Sequence, residues 1–344
     1  MIQQVLFKML ISIIAMLPLL TSCSLSRSSN EISKTPLPDS IRAKEIQDMR
    51  FGMFICWSFS TFSGKEWTGE EHGSDFFKAT GCNTDQWAKT AKEAGMNYIL
   101  FLTKHHDGFC LWDTQTTDLK SINAPIKLDV LSKLRQSCDK YGIKLALYFS
   151  EGDWNWPGAE RGGWMKGGAN PEMKKAQLKE LLTNYGPIEF IWFDAAVGDG
   201  GLSHQETVEW VHQFQPNTFC GFNALEPAGR LSLRERGAPG PIGGDGLTWV
   251  EDAGENEKQY KGYHVAEFTY PILPKREGGA DWFYSLPVHD NLCIPAQKIF
   301  DDYQGAVTFG NIFSLNIGPN YEGNIREIDV KTLQEVGRMI EAAE

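Results

Sequence analysis

From residue 48 onward the chain alternates short apolar runs with amphipathic stretches. The runs fall at Phe51–Trp57, Asn97–Thr103, Ile143–Phe149, Ile188–Phe193, Thr218–Phe222, Arg230–Leu233, Tyr263–Phe268 and Asn311–Ile317. Near-continuous apolar character, as in Ile188-Glu189-Phe190-Ile191-Trp192-Phe193, predicts strands buried on both faces, which is the habit of parallel sheets. Apolar residues at i, i+3 and i+4 predict helices over Thr84–Ala94, Asp129–Tyr141, Pro171–Tyr185, His204–Phe214, Pro295–Gly305 and Arg326–Glu341. Asp129 and Ser203 stand where N-caps belong, and Gly95, Gly142 and Gly186 where helices stop. Eight strands alternating with helices over this length predict an α/β fold, a TIM-like (β/α)8 barrel, typically ~250 residues before insertions. Units five to seven lack a clear helix between runs, so that arc is expected to be irregular. A doubly wound sheet is the competitor, but no Gly-x-Gly-x-x-Gly opens a helix after the first run. A single barrel is therefore expected over residues 45–344. The Gly- and Pro-rich stretch 223–262 is expected to serve as a lid or a subunit contact.

The first residues follow a different rule. Residues 1–22 carry Lys8 and an apolar core at 9–20, too short for the ~20 apolar residues of a membrane span. Leu20-Thr21-Ser22-Cys23 resembles a bacterial lipobox, so a lipoprotein signal peptide ending before a lipidated Cys23 is expected, with an ordinary secretory signal as the alternative. Residues 23–44, rich in Ser and Pro and without apolar periodicity, read as a tether. The expected location is the bacterial cell envelope, lipid-anchored at the outer membrane or in the periplasm. Six further cysteines show no metal-ligand spacing and lie in or near apolar runs, which favours buried free thiols over disulfides.

Composition narrows the partner class. The 344 residues are 42% hydrophobic and 22% charged, with 33 basic and 44 acidic residues giving a net charge of −11. That balance disfavours nucleic acid and leaves membrane contact to the lipid anchor alone. Eleven Trp residues suit a neutral ligand with flat faces, such as a sugar, although part of them must be core.

In such barrels the site gathers at the C-terminal ends of the strands. After the first run come Cys56, Trp57 and Ser58, with Glu66-Trp67 beyond. The second is followed by Lys104-His105-His106-Asp107-Gly108-Phe109, and the third by Ser150-Glu151-Gly152-Asp153-Trp154. Asp194, Asn223, Glu235, Glu267 and Asn316 end the later units. Two carboxyl groups on one rim are what glycosidic-bond hydrolysis requires, ~5–5.5 Å apart when configuration is retained and ~6.5–9.5 Å when it is inverted. Asp194 ends a strand buried on both faces, which suits an aimed nucleophile better than a loop cap. Its partner is expected to be Glu235, with Glu267 as the alternative and Glu226 and Glu251 weaker. Arg234 and Arg236 would lower the proton affinity of Glu235, but strand alternation is expected to turn them away. His105 and His106 should point to opposite sides. Without a third ligand at zinc spacing they suit sugar hydroxyls rather than a metal.

With those residues in place, the chain resembles glycoside hydrolase family 29, the α-L-fucosidases. The resemblance rests on Arg50-Phe51-Gly52-Met53-Phe54-Ile55-Cys56-Trp57, Asp85-Gln86-Trp87-Ala88, Lys92-Glu93-Ala94-Gly95 and Thr103 to Asp113. It continues through Tyr148-Phe149-Ser150, Leu181 to Ile188, Trp192-Phe193-Asp194 and Asn316-Ile317-Gly318-Pro319 to Gly323, covering about residues 48–341. It implies an eight-unit barrel, a retaining double displacement, no cofactor and a fucosylated or related glycan as substrate. By the same resemblance Asp194 is the nucleophile, Glu235 the acid/base, His105 and His106 bind fucose hydroxyls, and Trp154 falls on the family's tryptophan after the third strand. Cys56, Trp57, Glu66 and Trp67 complete the expected sugar-binding set. This chain departs from the pattern at Cys56, where the family usually has His, and at Ala195 after Asp194 instead of Gly, and the C-terminal β-sandwich that many members carry is not expected here. Those departures keep two alternatives open: a related pyranoside such as an α-L-galactoside, or a glycan-binding protein whose catalysis has lapsed.

Overall fold

Eight parallel strands close on themselves in chain order, each hydrogen-bonded to its sequence neighbours and β8 to β1. They are β1 Phe51–Ile55, β2 Tyr98–Lys104, β3 Lys144–Ser150, β4 Phe190–Asp194, β5 Phe219–Phe222, β6 Arg230–Glu235, β7 Val265–Pro271 and β8 Ile312–Ile317. The computed structural model describes residues 32–163, 166–194, 198–223, 230–236, 239, 264–284 and 286–344. The architecture is the expected (β/α)8 barrel. The apolar runs became strands because both of their faces are covered, one by the filled interior and one by the outer helices. Gly52 lets the interior close at its lower end: a Cβ there would lie 2.3 Å from the Tyr98 ring, whose hydroxyl shares a 2.7 Å hydrogen bond with Ser314.

The helical ring follows the amphipathic stretches. Thr84–Glu93, Val130–Tyr141, Pro171–Asn184, His204–Phe214, Ala296–Val307 and Glu327–Ala343 are helices. Asp129 caps its helix by accepting from the Ser132 N–H at 2.8 Å, and Ser203 and Glu206 form a capping box. Gly142 ends its helix in the left-handed region at φ +67°, a conformation that costs glycine nothing. The links from β5 to β6 and from β6 to β7, where an irregular arc and a lid or interface are expected, lie mostly outside the described residues.

The N-terminal segment differs from expectation. Residues Asp39–Gln47 form a helix, so the chain is already docked on the barrel within the stretch that reads as tether. Its apolar contacts come from Ala43 and Ile46, too few to show as periodicity, and the rest of its attachment is polar. Buried Arg42 donates to the carbonyls of Asn217 and Glu189 at 2.6 and 2.9 Å and to the Glu189 carboxylate at 2.6 Å. Leu37 N–H donates to Asn217 Oδ1 at 2.7 Å. The signal peptide and Cys23 lie outside the described residues, among which no helix is long and apolar enough to cross a membrane. Cys56, Cys82, Cys110, Cys138, Cys220 and Cys293 are free thiols.

Candidate active site

One cavity opens at the C-terminal end of the barrel. Phe54, Leu102, Tyr148 and Trp192, from four consecutive strands, form its floor. Above them stand Cys56, His105, His106, Asp194, Asn223 and Glu235, the residues at or just past the strand ends. Glu66 and Trp67 from the first loop, and Trp282 and Phe283 from the loop after β7, wall the mouth. The register explains the layering: Tyr148 pairs with Trp192 and, two residues on, Ser150 with Asp194, so the same face of β3 and β4 supplies floor and rim.

Asp194 and Glu235 meet through a shared amide. Asn223 Nδ2 donates to Glu235 Oε2 at 2.9 Å and stands 3.4 Å from Asp194 Oδ1, which keeps those two oxygens less than about 6.3 Å apart. Tyr148 donates its hydroxyl to Asp194 Oδ2 at 2.6 Å. Burial and the negative charge of Asp194 push Glu235 up to about 7, against the pull of Asn223 and Arg236. Arg236 does not turn away as strand alternation predicts. It lies one residue past the end of β6 at φ +58°, outside the pleat, and lines the cavity over the Trp282 ring. Arg234 remains in the pleat and is buried. Glu66 is also raised to about 7 by burial, although its Oε2 accepts the backbone N–H groups of Asp281 and Trp282 at 2.6 and 3.2 Å.

The paired histidines share one side, contrary to the expectation from alternation. The β2–β3 register shifts between Leu102 and Lys104, and the histidines follow the end of that strand, so the period-two rule no longer governs them. Their rings are 4.1 Å apart and both line the cavity. Desolvation lowers both proton affinities, that of His106 to about 3, so both are neutral imidazoles. Ser150 donates its one hydroxyl hydrogen to the Gly152 carbonyl at 2.7 Å, so it accepts from His106 Nδ1 at 2.7 Å. His106 Nε2 is then a bare acceptor, 3.5 Å from Asp194 Oδ2, suited to a sugar hydroxyl. The buried Cys56 thiol is pushed up, chiefly by desolvation, and stays a neutral, weak hydrogen-bond partner.

Three expected site residues stand outside the cavity lining. Trp57 is fully buried, donates to the Asn320 carbonyl at 3.0 Å and packs edge-on against Phe77 and Trp87. Trp154 packs behind, with its ring 5.7 Å from His106 and 6.4 Å from Trp67. Glu267 lies beneath the floor, accepting from Trp192 Nε1 at 3.0 Å. Glu226 and Glu251 lie outside the described residues. Sequence reasoning passed over Tyr148 and Trp192 as site residues, although each sits two residues before a strand-end polar group and alternation would have flagged them. Trp282 and Phe283 come from a loop with no comparable signal. Among the described residues no group of three or more His, Cys, Asp or Glu is placed to hold a metal ion.

The comparisons with known proteins agree with this geometry. A family profile described as Alpha-L-fucosidase matches residues 71–343. Alpha-L-fucosidase 1 of Arabidopsis thaliana is 30% identical over 341 residues, covering 93% of this chain, which spans 64% of that protein's length. The plasma alpha-L-fucosidase of Homo sapiens is 23% identical over 352 residues, covering 88% of this chain and 69% of its own. The solved structure of alpha-L-fucosidase isoenzyme 1 from Paenibacillus thiaminolyticus is similar at TM-score 0.72 and 26% identity, covering 89% of this chain and 76% of that one. A profile that matches most of the chain, on the barrel and site described, places it: the chain belongs to the α-L-fucosidase family.

Proposed function

We propose that the protein is a retaining glycosidase that removes terminal α-L-fucose from glycans. The observation that carries this reading is the pairing of Asp194 and Glu235 in one cavity through Asn223. Their bridged oxygens lie closer than the ~6.5–9.5 Å separation that an inverting pair keeps open for its water. Asp194 attacks the anomeric carbon and the glycosidic C–O bond breaks as Glu235 delivers its proton to the leaving oxygen. Water then attacks the glycosyl-aspartate, giving its proton to Glu235 and restoring Asp194. Glu235 suits the acid role because its proton affinity, raised to about 7, keeps a proton available near neutral pH. Glu267 suits it poorly because Trp192 separates it from the cavity. His105 and His106, neutral and side by side, supply acceptors for the sugar's hydroxyls.

The Cys56 thiol in the cavity favours a second reading on the same carboxyls. A weak hydrogen-bonding partner at that wall suits a related pyranoside, such as an α-L-galactoside, whose recognition does without a strong contact there. One experiment covers both: hydrolysis of a panel of aryl glycosides by the protein and by Asp194→Ala, with the anomer of the first product followed by NMR. α-L-Fucoside turnover with retained configuration, lost in the variant, is expected. Preference for another sugar would move the substrate to the second reading, and full activity of Asp194→Ala would remove the nucleophile assignment.

A further inference from the structure

Beneath the cavity floor lies a carboxyl group that the proposed chemistry leaves unused. Glu267 sits in the middle of β7 with its side chain inside the barrel and no exposure. A carboxyl in that position carries a desolvation cost that an apolar residue of similar size would avoid. Its Oε2 accepts the indole N–H of Trp192 at 3.0 Å, and the Ser314 hydroxyl is a further hydrogen-bonding neighbour of the carboxyl. Without this acceptor the Trp192 N–H would be orphaned inside the barrel.

What Trp192 does explains why its orientation matters. Its ring stacks on Tyr148 at 5.3 Å and 22°, and Phe54 leans on both rings at 6.4 and 5.8 Å. Ring-to-ring packing fixes the plane of an indole but lets it slide and turn within that plane. The hydrogen bond to Glu267 removes that freedom. Tyr148, held under the indole, places its hydroxyl 2.6 Å from Asp194 Oδ2. Two residues beyond Trp192 on the same strand stands Asp194 itself.

We infer that Glu267 is a positioning residue for the nucleophile, locking the Trp192 indole so that its stacked partner Tyr148 stays hydrogen-bonded to Asp194. This rests on the reading of Asp194 as nucleophile. Burial pushes the Glu267 carboxyl up to about 7, so for much of the working range it is a neutral acid, and an amide can replace it as the acceptor for Trp192.

The test compares Glu267→Gln, Glu267→Leu, Tyr148→Phe and the double variant Glu267→Leu/Tyr148→Phe on an aryl α-L-fucoside across pH, with Asp194→Ala as reference. Glu267→Gln keeps the acceptor and is expected to stay within about threefold of the parent kcat. Glu267→Leu and Tyr148→Phe are each expected to lose about tenfold or more in kcat with little change in KM, the size expected when a charge-assisted hydrogen bond fails. Combining them should cost little beyond the larger single loss, because both act through one contact. The acid limb of the rate profile should move upward in both single variants and stay in place in Glu267→Gln. Apart from Tyr148, the titratable groups that face Asp194, namely Cys56, His105, His106 and Glu235, keep their side chains in every one of these variants. Glu235, which also feels Glu267, reports on the alkaline limb rather than the acid one.

A merely structural Glu267 would lower the yield of folded protein without moving that limb, and such a result overturns the inference. Full activity of Glu267→Leu beside a dead Asp194→Ala would overturn it too, leaving the nucleophile reading intact. An active Asp194→Ala would instead remove the reading beneath it. A dead Glu267→Gln rescued by azide would make Glu267 the acid/base and end the positioning role. If Glu267→Leu does not fold, Trp192→Phe removes the N–H from the other side. It should shift the acid limb in the same direction, and an unmoved limb there overturns the inference.

Discussion

Arg236 and Asn223 both draw down the proton affinity of Glu235, while burial and the charge of Asp194 hold it up at about 7. The acid must be protonated when the glycosidic bond breaks, so the rate should fall as pH rises through about 7. Replacing Arg236 by Met removes a favourable charge from the ionised form, which raises the affinity further and moves the alkaline limb upward. The Arg236 side chain is about a third exposed (31%) and paired with Asp281 at 2.7 Å, so the shift should be a few tenths of a pH unit. A downward shift, read from kcat/KM against pH, would mean that Arg236 does not face Glu235 in solution. At this scale the candidate site was mostly legible, since Asp194, Glu235, His105, His106, Glu66 and Trp67 all line one cavity. Direction was the part that failed. Period-two alternation holds only inside the pleat, and His105, His106 and Arg236 all stand just beyond a strand end.

The elements divide by the kind of force that seats them. Strands and helices that bury apolar faces announced themselves in the pattern, and their ends matched where a cap such as Asp129 or a glycine such as Gly142 fixes the terminus. The helix Asp39–Gln47 was illegible because its apolar face is only Ala43 and Ile46, and ion pairing and carbonyl contacts, chiefly through buried Arg42, do the rest of the seating. The side chains of Arg42 and Glu189 are 8% and 15% exposed, so this pair is screened far less than a surface pair. Arg42→Met would leave the Glu189 carboxylate and two carbonyls short of a donor. Lys144 Nζ, 3.6 Å from the other carboxylate oxygen, would recover part of the loss. We expect Arg42→Met to destabilise by about 2–3 kcal/mol in urea unfolding, at or just below the ~3–5 kcal/mol of a fully buried pair because Lys144 remains. A loss below about 0.5 kcal/mol would show that the helix is an ornament on the barrel rather than part of it.

Across the whole molecule the same burial that prepares the site sets how stability varies with pH. Glu66, Asp107, Glu235 and Glu267 each bind a proton more tightly in the fold, at about 7, because desolvation penalises their ionised forms. A carboxyl with a raised affinity contributes stability that is complete below its unfolded value near ~4 and lost as pH climbs through its folded one. His105 and His106 act with the opposite sign. Their affinities are lowered, so they contribute fully above ~6.5 and lose that contribution as pH falls toward the folded values. Between pH ~4.5 and ~6.5 the fold therefore holds four extra carboxyl protons and lacks two imidazole protons relative to the unfolded chain, a net excess of about two. At ~1.4 kcal/mol per proton per pH unit, these groups should make stability fall by several kcal/mol from pH ~4.5 to ~7. The carboxylates with lowered affinity, such as Asp85, Glu93 and Glu206, are paired near the surface and make their difference only in more acid solution. Urea midpoints measured from pH 4.5 to 8 should therefore decline toward neutrality, and Glu267→Gln should flatten the decline by removing one of the four carboxyls. A midpoint that rises from pH 5 to 7 would show that these carboxyls are solvated in solution. The acid role of Glu235 would then lose its physical basis along with the slope, because one desolvated environment is asked to produce both.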